Sequence, residues 1–381
     1  MKIDPYKHKE KFQAWKEKVA EKGISDISKA NSDIILKYIS DMELGLNVSV
    51  RNVKGSRSYT RLNTLRQTII LISKLLAEKY SIQDITKLDE EQTFKFFNDI
   101  RTGIIRKQDG GIYKSPVEFV KTFKAFWHWW QKINRKKKIE IPDITVDLDT
   151  RKEKPSWVYL DYSQIKKLCN NAKFEYSVLM TFLYDTGIRS PTELVNIRIS
   201  DISLDFKELN IREEISKTFG RRIKLMVCSD LLKEYVSQKG LSSNDQLFAI
   251  CPPVVNRYLQ RLAKRVLGEG QSLAGQKYSQ LTMYDFRHCS CCYWLPRYKS
   301  ESALKYRFGW KKSDKIHYYS ELLGMKDTIS EEDLLVDVTK TEIEKRLQKS
   351  ENENEMLKEK IFGMEDMMKK ILEKQMQVIP S

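Results

Sequence analysis

Residues 282–324 read TMYDFRHCSCCYWLPRYKSESALKYRFGWKKSDKIHYYSELLG, and this stretch decides how the chain is interpreted. It places Arg287 inside a short aromatic motif, YDFRH, and a Gly-Trp pair ending at Trp310 follows. Two adjacent tyrosines, Tyr318 and Tyr319, come next. An arginine binds oxyanions and a tyrosine hydroxyl is a possible nucleophile. The stretch therefore predicts chemistry on an anionic group.

The charge of the chain points to a polyanionic partner. The chain has 381 residues, enough for two or three domains, and a formal net charge of +16. Residues 338–381 contain equal numbers of basic and acidic side chains, so the excess lies in the preceding body. Nucleic acid is the commonest partner of such a body, although a basic surface also serves solubility.

The chain is expected to be soluble and intracellular. Its start, MKIDPYKHKEKF, lacks the apolar core of a signal peptide, and no run of about 18 apolar residues predicts a membrane span. Three of the six cysteines crowd together at 289, 291 and 292, which is not the spacing of a secreted disulfide framework. With His288 they raise a zinc alternative, but on a helix they spread around its circumference, which favours buried small side chains.

The first half of the chain is predicted to be all helical. Apolar periodicity places helices at residues 6–22, 32–42, 60–80, 89–102 and 115–136. The last of these contains a row of aromatic residues, which favours a hydrophobic core over a platform for stacking bases. After it, residues 135–138 are four consecutive cations, and Pro142 and Pro155 follow. This stretch reads as a basic linker, either simply solvated or following a nucleic-acid backbone.

The second half mixes helices with one β-hairpin. Helices are predicted at residues 163–171 and 174–186, the second ending at Gly187, and again at 231–239 and 254–267. Between them Leu209 and Ile211 alternate with polar residues, as do Ile223 and Leu225. A glycine-containing turn that includes Lys217 separates the two alternating runs, which predicts an antiparallel hairpin.

The C-terminal tail carries a heptad pattern at residues 338–376. The core positions alternate in steps of four and three and are Leu347, Ser350, Asn354, Leu357, Ile361, Met364, Met368 and Ile371. A polar Asn354 at such a position is typical of residues that fix the register of a two-stranded coil. The tail is therefore predicted to be an oligomerising coiled coil, with a lone helix packed on the body as the alternative.

Breaking a phosphodiester without a metal ion requires a defined set of side chains. Fixed guanidinium groups match the negative charge that develops on the non-bridging oxygens. A nucleophile must attack in line with the leaving oxygen, and an acid must protonate that oxygen. Two arginines, a lysine and a tyrosine supply these roles.

Four segments in order resemble the signatures of the tyrosine recombinases, the phage-type integrases. YDTGIRSPTELVNIRISDI at 184–202 resembles their Thr-Gly-x-Arg motif, and SKTFGRRIKL at 216–225 resembles their lysine hairpin. YDFRH resembles His-x-x-Arg-His, and FGW followed by HYYSEL resembles the segment that ends in the nucleophile. The sequences of these motifs resemble archaeal integrases more than bacterial Xer enzymes.

The resemblance implies a role for each matching residue. Arg189 and Arg287 would bind the scissile phosphate, and Lys217 would protonate the leaving 5′-hydroxyl. Trp310 would pack on the phosphate region and hydrogen-bond to it. Tyr319 would attack and form a 3′-phosphotyrosine link. Because that link conserves the bond energy, neither a nucleotide nor a metal cofactor is needed.

The chain departs from the family pattern at three places. Tyr284 replaces the first histidine and, as a phenol, is expected to orient or hydrogen-bond rather than to act as a base. The acid that would support Arg189, Glu193, comes one residue later than usual. Tyr318 is an alternative nucleophile, although the family spacing favours Tyr319. His288 would either support the residues that bind the phosphate or lie in the hydrophobic core.

The resemblance implies a mainly helical fold with a small antiparallel sheet. Residues 1–140 would be a helical, SAM-like core-binding domain, 141–156 the linker and 157–337 the catalytic domain. The chain would cut and rejoin specific double-stranded DNA as a tetramer, in the cytoplasm of a prokaryote or its virus and away from membranes. The alternatives are a type IB topoisomerase-like enzyme and a catalytically inactive DNA-binding or architectural protein.

Overall fold

The computed structural model describes residues 2–46, 55–113, 115–151, 155–298 and 300–323, together with individual positions between 347 and 368. The chain divides into two compact units, Met1–Arg287 and His288–Ser381. The described residues are mainly helical with one small sheet, which confirms the predicted fold class. Among them, no helix combines the length and the apolar character that crossing a bilayer would require.

The N-terminal part of the first unit is a bundle of five α-helices. They are α1 His8–Lys22, α2 Lys29–Glu43, α3 Tyr59–Tyr80, α4 Glu90–Arg101 and α5 Pro116–Arg135. The aromatic row of α5 lies in the core, as predicted: Phe123, Phe126, Trp127 and Trp129 are all buried. Trp129 also donates its indole N–H to Asp41 of α2 at 2.9 Å. Buried aromatic residues thus pack with the aliphatic residues of the other helices to form the core of this bundle.

The segment after α5, predicted as a linker, packs partly against that helix. The Trp127 indole N–H donates to the carbonyl of Pro142 at 2.9 Å, and Ile144 and Leu148 are buried in the same core. The four cations at residues 135–138 are exposed. Their charge therefore faces solvent while the apolar residues that follow attach the segment to the bundle.

The remaining elements follow in the order α6 Tyr162–Asn170, α7 Phe174–Thr186, β1 Ile202–Ser203, β2 Glu208–Ile211, β3 Arg221–Lys224, α8 Ser229–Lys239, α9 Pro252–Leu267, α10 Asp285–Trp294, α11 Glu301–Phe308 and α12 Asp314–Leu323. The three strands form one antiparallel sheet in sequence order. Leu209 pairs with Ile223, and Ile211 with Arg221, so the predicted hairpin is confirmed. The two-residue strand β1 adds an edge that the alternation did not predict.

One buried carboxylate connects α7 to the chain that leaves β3. Asp185 is completely buried, and its Oδ2 atom accepts hydrogen bonds from the backbone N–H groups of Met226, Val227 and Cys228 at 2.8, 2.7 and 3.1 Å. An ionised oxygen that accepts several backbone N–H bonds is strongly stabilised. The turn after α7 and the sheet are thereby held at a fixed separation.

The described positions of the C-terminal tail have helical backbone. Leu347, Leu357, Ile361, Met364 and Met368 occupy predicted heptad core positions and are between 55% and 64% exposed. Ile371 lies outside the described residues. The helical part of the prediction agrees with these positions, and the coiled coil itself stays a prediction.

We expect Asp185→Asn to lower the free energy of unfolding by about 2 kcal/mol, because an amide group replaces the buried carboxyl group that accepts three backbone N–H bonds. Urea denaturation monitored by circular dichroism would measure the change. The control is Asp205→Asn, which removes an exposed ion pair with Lys233 and should leave the midpoint nearly unchanged. Equal effects of the two substitutions would contradict the role given to Asp185.

Candidate active site

The first predicted arginine follows a helix that ends at a glycine. Helix α7 ends at Gly187, whose φ of 58° is in the left-handed region and whose N–H donates to the carbonyl of Leu183. A residue with a Cβ is disfavoured there, so the glycine allows the chain to turn sharply. Arg189 lies two residues later, with a side chain that is only 13% exposed.

Glu193 anchors this turn through two arginines. Its carboxylate accepts a hydrogen bond from Arg189 Nη1 at 2.8 Å and one from the Arg189 backbone N–H at 2.9 Å. Arg221 Nη2 on β3 donates to the other side of the carboxylate at 2.8 Å, and both members of this pair are buried. The expected support of Arg189 by Glu193 is therefore present despite the extra residue between them.

Opposing influences act on the pKa of Glu193. Burial raises it, but the hydrogen bond and charge of Arg221, followed by the contacts of Arg189, outweigh burial and lower the pKa to about 2. The carboxylate is therefore ionised near neutral pH and compensates the charge of two buried or partly buried cations.

The second predicted arginine, Arg287, is buried in the first turn of α10. Its Nη1 atom donates to the carbonyl of Gly187 at 2.5 Å, which attaches it to the turn that carries Arg189. Burial, and then the charge of Arg189, lower the pKa of Arg287 to about 10, so it still carries its proton at neutral pH. Two guanidinium groups that repel each other in this way favour the binding of an anion between or beside them.

Asp285 holds the start of α10 in place. Its carboxylate accepts the backbone N–H of Val158 at 3.1 Å and both the backbone N–H and the hydroxyl of Thr282 at 2.7 and 2.6 Å. Burial raises the pKa of Asp285 above its ordinary value. The carboxylate thus fixes the position of a helix whose third residue is Arg287.

Lys217 and Tyr284 are exposed in this unit. Lys217 lies in the loop between β2 and β3, beside Thr218, whose hydroxyl accepts a long hydrogen bond from Arg189 Nη2 at 3.5 Å. Tyr284 immediately precedes α10 and is 47% exposed. The loop neighbour of Lys217 therefore contacts a predicted phosphate ligand, while the side chain of Tyr284 faces solvent.

The second unit contains the predicted tyrosine in an aromatic stack. Helix α11 ends at Gly309, with a φ of 61°, and the next residue, Trp310, stacks on Phe308 with ring centroids 4.9 Å apart. Tyr319 on α12 lies nearly parallel to Trp310, with an interplanar angle of 11° and centroids 6.0 Å apart. Tyr319 is only 2% exposed, so the stack fixes the orientation of its phenol ring.

A histidine contacts the hydroxyl of this tyrosine. The Nδ1 atom of His288 lies within hydrogen-bonding distance of the Tyr319 hydroxyl. The neighbouring Tyr318 is half-buried and meets the Tyr319 ring edge-on at 5.2 Å. Cys289, Cys291 and Cys292 are buried, which agrees with the prediction of small core side chains.

Three residues that position the site were missed by sequence reasoning. Arg221 lies on the same buried face of β3 as Ile223. A charged side chain at such a position indicates a buried ion pair. Asp185 interrupts the otherwise apolar C-terminal turns of α7, which is a similar signal. Asp285 was read only as part of the motif around Arg287.

We expect Glu193→Gln to lower the free energy of unfolding at pH 7 by about 3–5 kcal/mol, because it leaves the buried Arg221 without its counter-charge. The folded-state pKa of about 2 lies below the ordinary value of 4.5, so ionised Glu193 stabilises the fold above about pH 4.5. That contribution is lost as the pH falls through 2. The difference between wild type and variant, measured by urea denaturation, should therefore shrink between about pH 5 and pH 2.

The matched control is Glu175→Gln, which removes an exposed pair with Lys239 and should change stability little at any pH. A Glu193→Gln deficit that stayed constant from pH 7 to pH 3 would show that the carboxylate does not contribute through its charge.

Comparison with known proteins gives a match to a family model. Residues 159–324 match the model of the phage integrase family. No curated protein is close enough in sequence to count as a match.

Solved structures resemble the chain in fold. A lambda integrase dimer bound to a core site is 15% identical, with a TM-score of 0.54 over 85% of this chain and 89% of that one. The XerH recombinase bound to palindromic difH substrate is 14% identical, with a TM-score of 0.53 over 69% and 77%. The Tn1549 transposon integrase in complex with transposon right end DNA is 13% identical, with a TM-score of 0.53 over 80% and 97%.

These likenesses establish the fold, and the family model supplies the domain that carries Arg189, Lys217, Arg287 and Tyr319. Residues 159–324 therefore form a domain that matches the phage integrase family, the tyrosine recombinases.

Proposed function

We propose that this protein is a site-specific DNA recombinase that cleaves and rejoins duplex DNA through a 3′-phosphotyrosine intermediate. The observation that carries the proposal is the pair of guanidinium groups of Arg189 and Arg287. Arg189 lies in the turn after α7, and Arg287 of α10 donates to the Gly187 carbonyl of that turn. The charge of Arg189 lowers the pKa of Arg287. Such a pair is suited to the two non-bridging oxygens of a phosphodiester.

Each of the remaining side chains has one step in this reaction. Tyr319 attacks the phosphorus, and the bond from phosphorus to the 5′-oxygen breaks. Lys217, on its exposed loop, gives a proton to that oxygen, and Trp310 packs against the phosphate. Tyr284 offers a hydroxyl for hydrogen bonding to the DNA. A second 5′-hydroxyl reverses the same steps and joins a new strand.

Exposed cations supply a surface for the DNA backbone. Arg257, Arg261 and Arg265 on α9 are exposed and recur every four residues, so they lie along one face of that helix. The net charge of +16 adds a long-range attraction for phosphates. Both features support double-stranded DNA as the substrate.

Two other functions share most of these features. A type IB topoisomerase-like enzyme would use the same tyrosine chemistry but would relax supercoils without pairing two sites. A catalytically inactive DNA-binding or architectural protein would bind DNA and form no covalent link. The histidine beside the Tyr319 hydroxyl supports an active enzyme, because it places a base within reach of the proposed nucleophile.

Self-association is the second part of the proposal. The five apolar heptad residues of the tail are exposed in the single chain, although they lie in helical backbone. A second helix of the same sequence would bury them, with Asn354 paired at the seam. The coil would assist assembly of a tetramer on two DNA sites.

Incubation with a nicked suicide duplex carrying the target site tests the chemistry. We expect a protein–DNA band that resists denaturation with wild type and with Tyr318→Phe, and none with Tyr319→Phe, because only the Tyr319 hydroxyl is the nucleophile. Random plasmid DNA serves where no site is known. A band lost only in Tyr318→Phe would reassign the nucleophile, and its absence from every variant despite tight DNA binding would favour the inactive protein. Strand exchange between two duplexes separates a recombinase from a topoisomerase.

Substitution of the heptad core tests self-association. We expect Leu357→Ser combined with Ile361→Ser to reduce the molar mass measured by light scattering, as would truncation after residue 337. Met356→Ser is the matched control, since Met356 is also apolar and exposed but lies off the seam. An unchanged mass in the double variant would count against the coiled coil.

A further inference from the structure

We propose that His288 is the general base that takes the proton from the Tyr319 hydroxyl during attack on the phosphate. This inference rests on the proposed recombinase function and adds a step that the four motifs leave unassigned. It assigns the base to the residue after Arg287 in α10. The usual place for a histidine in the motif, three residues before Arg287, is Tyr284 in this chain.

Position 284 is poorly suited to accept this proton. A phenol hydroxyl is a far weaker proton acceptor than the unprotonated nitrogen of an imidazole. Tyr284 is also nearly half exposed to solvent. A chain that uses tyrosine here needs another acceptor for the proton of its nucleophile.

The geometry of the second unit supplies that acceptor. The Nδ1 atom of His288 lies within hydrogen-bonding distance of the Tyr319 hydroxyl, and the two rings are 5.8 Å apart. A base must lie within hydrogen-bonding reach of the proton it removes, and this contact meets that condition. Neutral imidazole accepts through Nδ1 when its proton is on Nε2, which defines the tautomer that the reaction uses.

Burial of the tyrosine strengthens the case. Because Tyr319 is 2% exposed and stacked on Trp310, bulk water has little access to its hydroxyl as a proton acceptor. The other histidine near it in sequence, His317, is exposed on α12. Of these two imidazoles, His288 is the one in contact with the reacting oxygen.

The proton balance of the step is complete with residues already assigned. The O–H bond of Tyr319 breaks as the bond from its oxygen to phosphorus forms, and the proton moves to His288 Nδ1. The bond from phosphorus to the 5′-oxygen breaks, and that oxygen takes a proton from Lys217. On rejoining, His288 returns its proton to the departing tyrosine oxygen, and Lys217 accepts one from the incoming 5′-hydroxyl. No oxidant, metal or water is consumed.

The first test compares His288→Asn with His317→Asn in single-turnover cleavage of the suicide duplex. Asparagine keeps a hydrogen-bonding group near the tyrosine but cannot take its proton, so we expect the His288 variant to cleave about 100-fold or more slowly. His317→Asn makes the same chemical change at an exposed position and should cleave at the wild-type rate. Equal rates for the two variants, with wild type forming the adduct, would overturn the role of His288 and leave the recombinase function intact.

The second test separates a base from an acid. In a duplex with sulfur in place of the bridging 5′-oxygen, the leaving thiolate needs no proton, so Lys217→Ala should regain most of its rate. His288→Asn should remain slow on this duplex, because the tyrosine must still lose its proton. Recovery of His288→Asn on the sulfur duplex would make His288 an acid and overturn the proposal.

Folding of the variants is checked by thermal melting and DNA binding. If His288→Asn does not fold, His288→Gln provides the second replacement, judged by the same two rates. Added imidazole should also raise the cleavage rate of His288→Gly, since it restores the missing base in the space left by the side chain. Absence of covalent adduct with wild type would instead contradict the proposed function itself.

Discussion

The carboxylate of Glu193 is buried between two guanidinium groups, and the arrangement of the arginine turn depends on it. It binds Arg221 of the sheet on one side and Arg189 of the turn on the other. Without its charge, the first unit would bury cations next to one another, which is costly in a medium of low dielectric. The Gly187 carbonyl then brings Arg287 to the same turn. This arrangement compensates one cation and leaves net positive charge, which suits the phosphate-binding role proposed for the two arginines.

Hydrogen bonds from backbone N–H groups to buried carboxylates, together with aromatic packing, hold the remaining parts of the two units in place. Asp185 accepts backbone N–H groups of the chain that leaves β3, and Asp285 accepts the backbone N–H groups of Val158 and Thr282. In the second unit, packing takes over: Trp310 and Phe308 hold the ring of Tyr319 in one plane. The two units therefore fix the orientation of these side chains by different means, one with buried charge and one with aromatic stacking.

Much of this could be predicted from the sequence because the information is local. Helix α7 was predicted with its observed ends, since apolar periodicity and Gly187 mark both boundaries. The hairpin was predicted from alternation, and the motif residues from their resemblance to the signatures of a known family. The pairing of Glu193 with Arg221 could not be predicted, because it joins residues 28 apart in sequence and depends on the register of β3. The contact between His288 and Tyr319 likewise depends on how α12 packs, which no local pattern encodes.

The Glu193 pair also has a consequence for how this sequence can change over generations. A lineage that lost DNA cleavage would be released from the need for Arg189, but not from the cost of a buried, uncompensated Glu193 or Arg221. Substitutions would therefore accumulate first at Arg189, which is partly exposed, whereas Glu193 and Arg221 would be retained. A descendant that keeps only Glu193 and Arg221 would show that the fold is conserved. A descendant that also keeps Arg189 would show selection for DNA cleavage.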